Sequence, residues 1–162
     1  MAAGVLSARQ TVASSTSSRN VILSNMPKAK EFTVTIEDKP GALGNLFQSL
    51  AEKGLNILAF QSYVEGPESL SRLIVDDPPA AKAILGKLGL IFEETDVAIV
   101  RLPHTPGQLA RAATCLGRNQ INVDYSYCGL DPGSPQALLV FGVDSLTKAA
   151  AALDELPLRP PE

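Results

Sequence analysis

Apolar and polar residues alternate from Phe32 to Glu37, which puts Phe32, Val34 and Ile36 on one face and predicts a half-buried strand. The period then lengthens. Leu43, Leu46, Phe47 and Leu50 recur at helical spacing, the apolar stripe of an amphipathic helix. Between the two lies Asp38-Lys39-Pro40-Gly41, a strand-to-helix turn. Pro40 holds φ near the helical value and gives up an N–H that the first turn leaves unpaired in any case. Gly41 has no Cβ, so another molecule can approach the backbone there, and the bare N–H groups of a helix start favour an anion. One such turn is ordinary. Its repetition is not.

The pattern returns 66 residues on, from Gly41 to Gly107. Val97 to Leu102 is strand-like, His104-Thr105-Pro106-Gly107 follows, and Leu109, Ala112, Ala113 and Leu116 form the second helical stripe. Gly54-Leu55-Asn56-Ile57 corresponds to Gln120-Ile121-Asn122-Val123, and Leu73-Ile74-Val75 to Leu139-Val140-Phe141. A shared offset over so many positions predicts two copies of one supersecondary unit in tandem.

The first unit reads as strand 32–37, helix 42–53, strands 55–64 and 69–76, helix 79–88 and strand 90–94. The second reads as strand 97–102, helix 107–118, strands 121–129 and 136–143, and helix 145–156, with Ser145 as N-cap. This βαββαβ order predicts an α+β fold of two ferredoxin-like modules, each an antiparallel sheet with two helices on one face. The expected boundaries are 31–95 and 96–157, flanked by a disordered leader over 1–30 and a tail over 158–162. Pro157, Pro160 and Pro161 make a fourth strand of the second module short or missing, which leaves its first strand with an open edge unless something covers it.

The net charge of −3 is unevenly spread. Residues 1–30 carry Arg9, Arg19, Lys28 and Lys30 and no acid, so the remainder is acidic, which argues against nucleic acid as a partner. The leader is Ser-rich, compatible with a disordered tail, an organelle-targeting peptide or an over-extended start ahead of Met26. No apolar run is long enough to span a membrane, and a cytoplasmic protein is expected.

Known chemistries on this shape find little support. An RNA-recognition module needs aromatics on its middle strands within a basic surface. A copper carrier needs Cys-x-x-Cys, which is absent. With His104 the one histidine, no triad or metal site suggests itself, and no cofactor is expected. Cys115 and Cys128 read as reduced core thiols, Tyr63, Tyr125 and Tyr127 as packing on sheet faces, and Glu93-Glu94 as a solvated strand end.

Asp38-Lys39-Pro40-Gly41-Ala42-Leu43, then Leu46-Phe47, Leu50 and Gly54-Leu55-Asn56-Ile57, resembles the ACT domain, a small regulatory module that binds amino acids. The second copy resembles it less closely: His104 replaces the usual Asp or Asn, and Gln120 stands where Gly54 does. The resemblance implies a non-catalytic, amino-acid-sensing protein with its effector held between paired modules. It implies a site formed by Asp38, Pro40, Gly41, Ala42, Leu43 and Asn56 in one copy, and by His104, Gly107, Gln108, Leu109 and Asn122 in the other. Side-by-side modules would set the loop of Asp38 against Asn122 and that of His104 against Asn56. Asp38 either accepts from a ligand's ammonium or caps the turn. A homodimer is the expected assembly. The alternatives are a regulatory subunit docking on an enzyme of amino-acid metabolism, and a structural dimerisation module that binds nothing.

Overall fold

The computed structural model describes residues 27–130 and 133–156. The expected leader lies almost wholly outside them, and so does the tail. The elements are β1 (Lys28–Glu37), α1 (Ala42–Ala51), β2 (Ile57–Glu65), β3 (Glu68–Val75), α2 (Pro78–Lys87), β4 (Phe92–Pro103), α3 (Gln108–Arg118), β5 (Val123–Leu130), β6 (Gln136–Val143) and α4 (Leu146–Asp154). Local chemistry accounts for most boundaries. Gly41 and Gly107 sit at the N-caps of α1 and α3, both at φ 89°, a backbone state that a Cβ opposes. Asp77 caps α2 by accepting from the Ala80 N–H at 3.1 Å, with Pro78 and Pro79 opening the helix. Ser145 stands at the N-cap of α4 but makes no side-chain cap bond.

The expected strands 90–94 and 97–102 are one strand. β4 pairs through Phe92–Ala98 with β1, and through Ala98–Pro103 with β6. Ala98 is the handover, opposite both Lys28 and Phe141. The polar run Glu93–Asp96 does not break it, because Lys30 pairs with Glu94 and Asp96 while Lys82 reaches Glu94 at 2.8 Å. The boundary expected between 95 and 96 therefore falls inside a strand, with no linker. Beyond Ile99, whose N–H donates to Pro27 O, no second strand pairs with the outer edge of β4 among the described residues.

Strand order is β1-β3-β2-β5-β6-β4, an antiparallel sheet closed into a barrel. The two units of ferredoxin-like elements thus share one antiparallel sheet, which closes between β2 and β5. The ladder between β2 and β5 is a single pair, Ala59 opposite Gly129. A Cβ on Gly129 would run into Leu58 O and the Ala59 Cβ, so only glycine permits this crossing.

Three apolar clusters follow from the alternation of side chains along each strand. Phe32, Val34, Ile36, Leu73 and Val75 pack with Leu46 and Leu50 of α1 and Ala81 and Leu85 of α2. Ala98, Leu102, Leu139 and Phe141 pack with Ala112 and Leu116 of α3 and Ala149 and Leu153 of α4. Leu58, Ile74, Val97, Ile99, Leu138 and Val140 form the third cluster, which draws on strands of both units. Each such large aliphatic contributes about 1.5–3 kcal/mol by leaving water.

Candidate functional site

Each Pro-Gly turn borders its own cavity. The first, about 680 Å3, lies against β1 and the start of α1, with Asp38, Lys39, Ala42, Asn45 and Glu68 among its walls. The second, about 860 Å3, lies against the end of β4 and the start of α3, with His104, Gly107, Gln108 and Leu109 beside Cys128, Leu130 and Ala137. Both volumes fall in the range of about 300–1,000 Å3 that small-molecule sites occupy. Every residue lining the first belongs to 35–91 and every residue lining the second to 102–139. Neither cavity is a seam between the units, contrary to the expected pairing.

The cavities stand at opposite ends of one strand. Leu90 and Ile91, just before β4, line the first, while Leu102 and Pro103, at its end, line the second. At about 3.4 Å per residue the intervening strand is on the order of 35–40 Å long.

The predicted residues divide accordingly. Asp38 and Ala42 line the first cavity; Pro40, Gly41 and Leu43 do not, and Leu43 packs against the core below α1. Asp38 is exposed, and α1 starts without a side-chain cap bond, so the capping alternative is not realised. The Ala42 N–H is spent on Lys39 O at 3.2 Å, and the Gln108 N–H points to Thr105 O at 3.4 Å. His104, Gly107, Gln108 and Leu109 all line the second cavity. Gln108 is buried, its Oε1 accepting from Arg111 Nη1 at 2.7 Å.

Asn56 and Asn122 line neither cavity. Each precedes the first residue of its strand, at the end remote from its own Pro-Gly turn, because the helix between them runs back along the sheet. The Asn56 N–H donates to Asp76 Oδ1 at 3.0 Å, and Asn122 Nδ2 to Asp124 Oδ1 at 3.1 Å.

Electrostatics separates the two cavities. Glu37, Asp38 and Glu68 surround the first, with Lys39 paired to Glu37. Glu37 and Glu68 are directly opposed across β1 and β3, a like-charge pair that Lys39 relieves on one side. Among the described residues, the second cavity has no carboxylate, lysine or arginine in its lining. Its Cys128 is exposed, not the core thiol expected, because alternate β5 residues face outward; Cys115 is half-buried and its Sγ donates to Ala152 O at 3.3 Å.

Between the cavities lies a network that the sequence reading missed. Glu31 is fully buried. It accepts from Tyr125 Oη at 2.6 Å, Tyr127 Oη at 2.7 Å and Arg72 Nη1 at 2.9 Å. Arg72 also donates to Tyr63 Oη at 3.0 Å and stacks its guanidinium over the Tyr125 ring, 3.9 Å from the centroid. Burial pulls the Arg72 guanidinium down, but hydrogen bonds from it to Glu31 and Tyr63 outweigh that and leave it above its ordinary value. Burial first, then the Glu31 carboxylate, pushes both the Tyr125 and Tyr127 phenols well above the usual tyrosine range. Among the described residues, no group of three or more His, Cys, Asp or Glu is placed to hold a metal, and no helix is long and apolar enough to cross a membrane.

Comparison with known proteins adds the family. A model of the ACT domain pair matches residues 27–156. No curated protein matches the sequence. A protein of Bacteroides thetaiotaomicron, BT0572, is similar over 82% of this chain and 90% of its own, with 26% identity and a TM-score of 0.70. The regulatory subunits of aspartate kinase from Thermus thermophilus and Thermus flavus are similar over 79% of this chain and 91% of theirs. Their identities are 19% and 20% and their TM-scores 0.53 and 0.50, a likeness of fold.

Proposed function

Because this chain belongs to the family of ACT domain pairs, we propose that it is a non-catalytic regulatory protein that binds a free amino acid at its Pro-Gly loops. The observation that carries this reading is the presence of an open cavity at each of the two loops. In the first, Asp38 and Glu68 offer acceptors to an ammonium group, and Lys39 and Asn45 offer donors to a carboxylate, the Ser49 hydroxyl being spent on Asn45 O. Asn56 and Asn122 line neither loop cavity of the single chain. A second copy of the chain, the expected homodimer, is the remaining way to bring a neighbour's strand to a loop.

Calorimetric titration of the full chain with the twenty common amino acids tests the reading. At least one is expected to bind, and Asp38→Ala or His104→Ala to weaken it about tenfold, the effect of losing one polar contact of about 1.4 kcal/mol. A thermal-shift screen adds sensitivity, since a ligand at 100 times its Kd stabilises by about 2.7 kcal/mol. No binding to wild type at millimolar amino acid would leave only a scaffold.

A second reading is favoured by the fold shared with regulatory subunits of aspartate kinase, of whose length this chain spans 91%. In it the chain docks on a separate enzyme and passes on the ligand's effect. A pull-down that retains a catalytic partner, with an amino-acid-dependent yield, distinguishes this from a free-standing sensor.

A further inference from the structure

The two cavities descend from one repeated pattern, yet their walls differ in kind. The first is ringed by Glu37, Asp38, Glu68 and Lys39. In the second, Leu102 and Leu139, both buried, meet Leu109, Leu130 and Ala137, and His104 is the one ionisable nitrogen base. Leu109 and Leu130 are 51% and 78% exposed at this cavity; the first cavity also carries two bare apolar residues, Leu88 and Ile91, but sets them beside carboxylates. A charged ligand side chain entering here would give up hydration and find no opposite charge among the described lining residues. An apolar one would be covered by leucine on several sides and would cover bare leucine in turn.

We infer that the cavity between His104, Leu109 and Leu130 takes an amino acid with an uncharged, branched apolar side chain. This rests on the reading that the loops bind amino acids, and adds to it the class that the second loop selects. The departure of His104 from Asp38 at corresponding positions removes the first loop's carboxylate and leaves shape and apolar area to decide selection. By area alone, burying a leucine-sized side chain gives roughly ten- to a hundredfold tighter binding than a methyl group.

Cys128 supplies the assay. It lines this cavity and is exposed, whereas Cys115, the chain's only other cysteine, is half-buried and lines neither loop cavity. The full chain is alkylated with iodoacetamide, and each cysteine is followed by peptide mass spectrometry in the presence of leucine, lysine or glutamate, with binding of the same amino acids measured by calorimetry. The expected result is that leucine slows Cys128 at least tenfold, leaves Cys115 unchanged, and that lysine and glutamate do not protect. Leu130→Asp, at an exposed position where the fold is not at risk, is expected to weaken leucine at least tenfold without moving Tm. Equal protection by lysine or glutamate overturns the inference, and so does undiminished leucine affinity in Leu130→Asp. Binding of an amino acid by calorimetry without protection of Cys128 by leucine also overturns it, while leaving the amino-acid reading standing. Failure of every amino acid to bind removes both. Protection that grows with protein concentration alone, without ligand, assigns the leucine-lined surface to a second copy of the chain and overturns it too.

Discussion

The Tyr127 hydroxyl donates to the Glu31 carboxylate at 2.7 Å, joining strands whose residues are 96 apart in sequence. Glu31 belongs to β1 of the first unit and Tyr127 to β5 of the second. β1 continues from Glu31 to Thr35 and Ile36 at the first cavity, and the residue after Tyr127 is Cys128 at the second. The buried network therefore ties the two units together on the path between their cavities. Its strength is a matter of satisfaction: with three donors on one carboxylate, the charge of Glu31 is compensated where no water reaches it.

Removing the carboxylate leaves Arg72 without its ionic partner in a partly buried site. Glu31→Ala is expected to destabilise by about 3–5 kcal/mol, the cost of breaking a buried pair from one side. Tyr127→Phe, which removes one donor to a charged acceptor, is expected to cost about 1.5–3 kcal/mol. Urea unfolding of both variants and of the double variant checks this. If the interaction is direct, the double variant loses less than the sum of the two.

The same phenols set an alkaline limit. In an unfolded chain tyrosine deprotonates near pH 10, whereas folded Tyr127 is pushed above that range by burial and by Glu31. Below pH 10 both states keep the proton and the contribution of the network is complete. Above it the folded state holds more protons than the unfolded one, so stability falls as pH rises. For Tyr127 the limiting slope is about 1.4 kcal/mol per pH unit, and Tyr125, less enclosed, adds a smaller part. Unfolding midpoints between pH 8 and 11 should show a shallower fall in Tyr127→Phe than in wild type.

Closure of the barrel depends on a missing side chain. Gly129→Ala places a Cβ against Leu58 O and the Ala59 Cβ, so a loss of about 2–3 kcal/mol or more is expected, with disturbance at the β2–β5 crossing. Gly117→Ala, inside α3 with nothing within 4 Å of the added carbon, is the control. It is expected to stabilise by about 0.5–1 kcal/mol through helix propensity. Thermal unfolding of the two variants separates steric clash from any general effect of Gly→Ala.

The Pro-Gly turns carry a backbone demand of their own. Alanine at Gly41 or Gly107 would have to adopt φ 89°, costing about 1–2 kcal/mol per site. Since neither added Cβ meets an atom within 4 Å, the penalty is conformational and not steric. A calorimetric comparison of the two variants, each destabilised by a similar amount, checks that the two turns are equivalent as structures even where their cavities differ.

What the sequence determined by itself was everything written in short-range periodicity. The alternation at Phe32–Ile36, the helical stripe at Leu43–Leu50 and their return at 66 residues' distance define the units, their element order and the two turns, because each depends on neighbours within a few positions. The tertiary structure alone decided what depends on partners far along the chain. Glu31 is buried because Arg72, Tyr125 and Tyr127 arrive 41, 94 and 96 residues later to meet it. The acidic run at Glu93–Asp96 stays within one strand because Lys30 and Lys82 compensate it from other elements. Asp38 and Asn56, named together by one motif although a helix lies between them, stand at opposite ends of a unit because that helix returns antiparallel to the first strand, and burial and charge are settled only when distant side chains share a space.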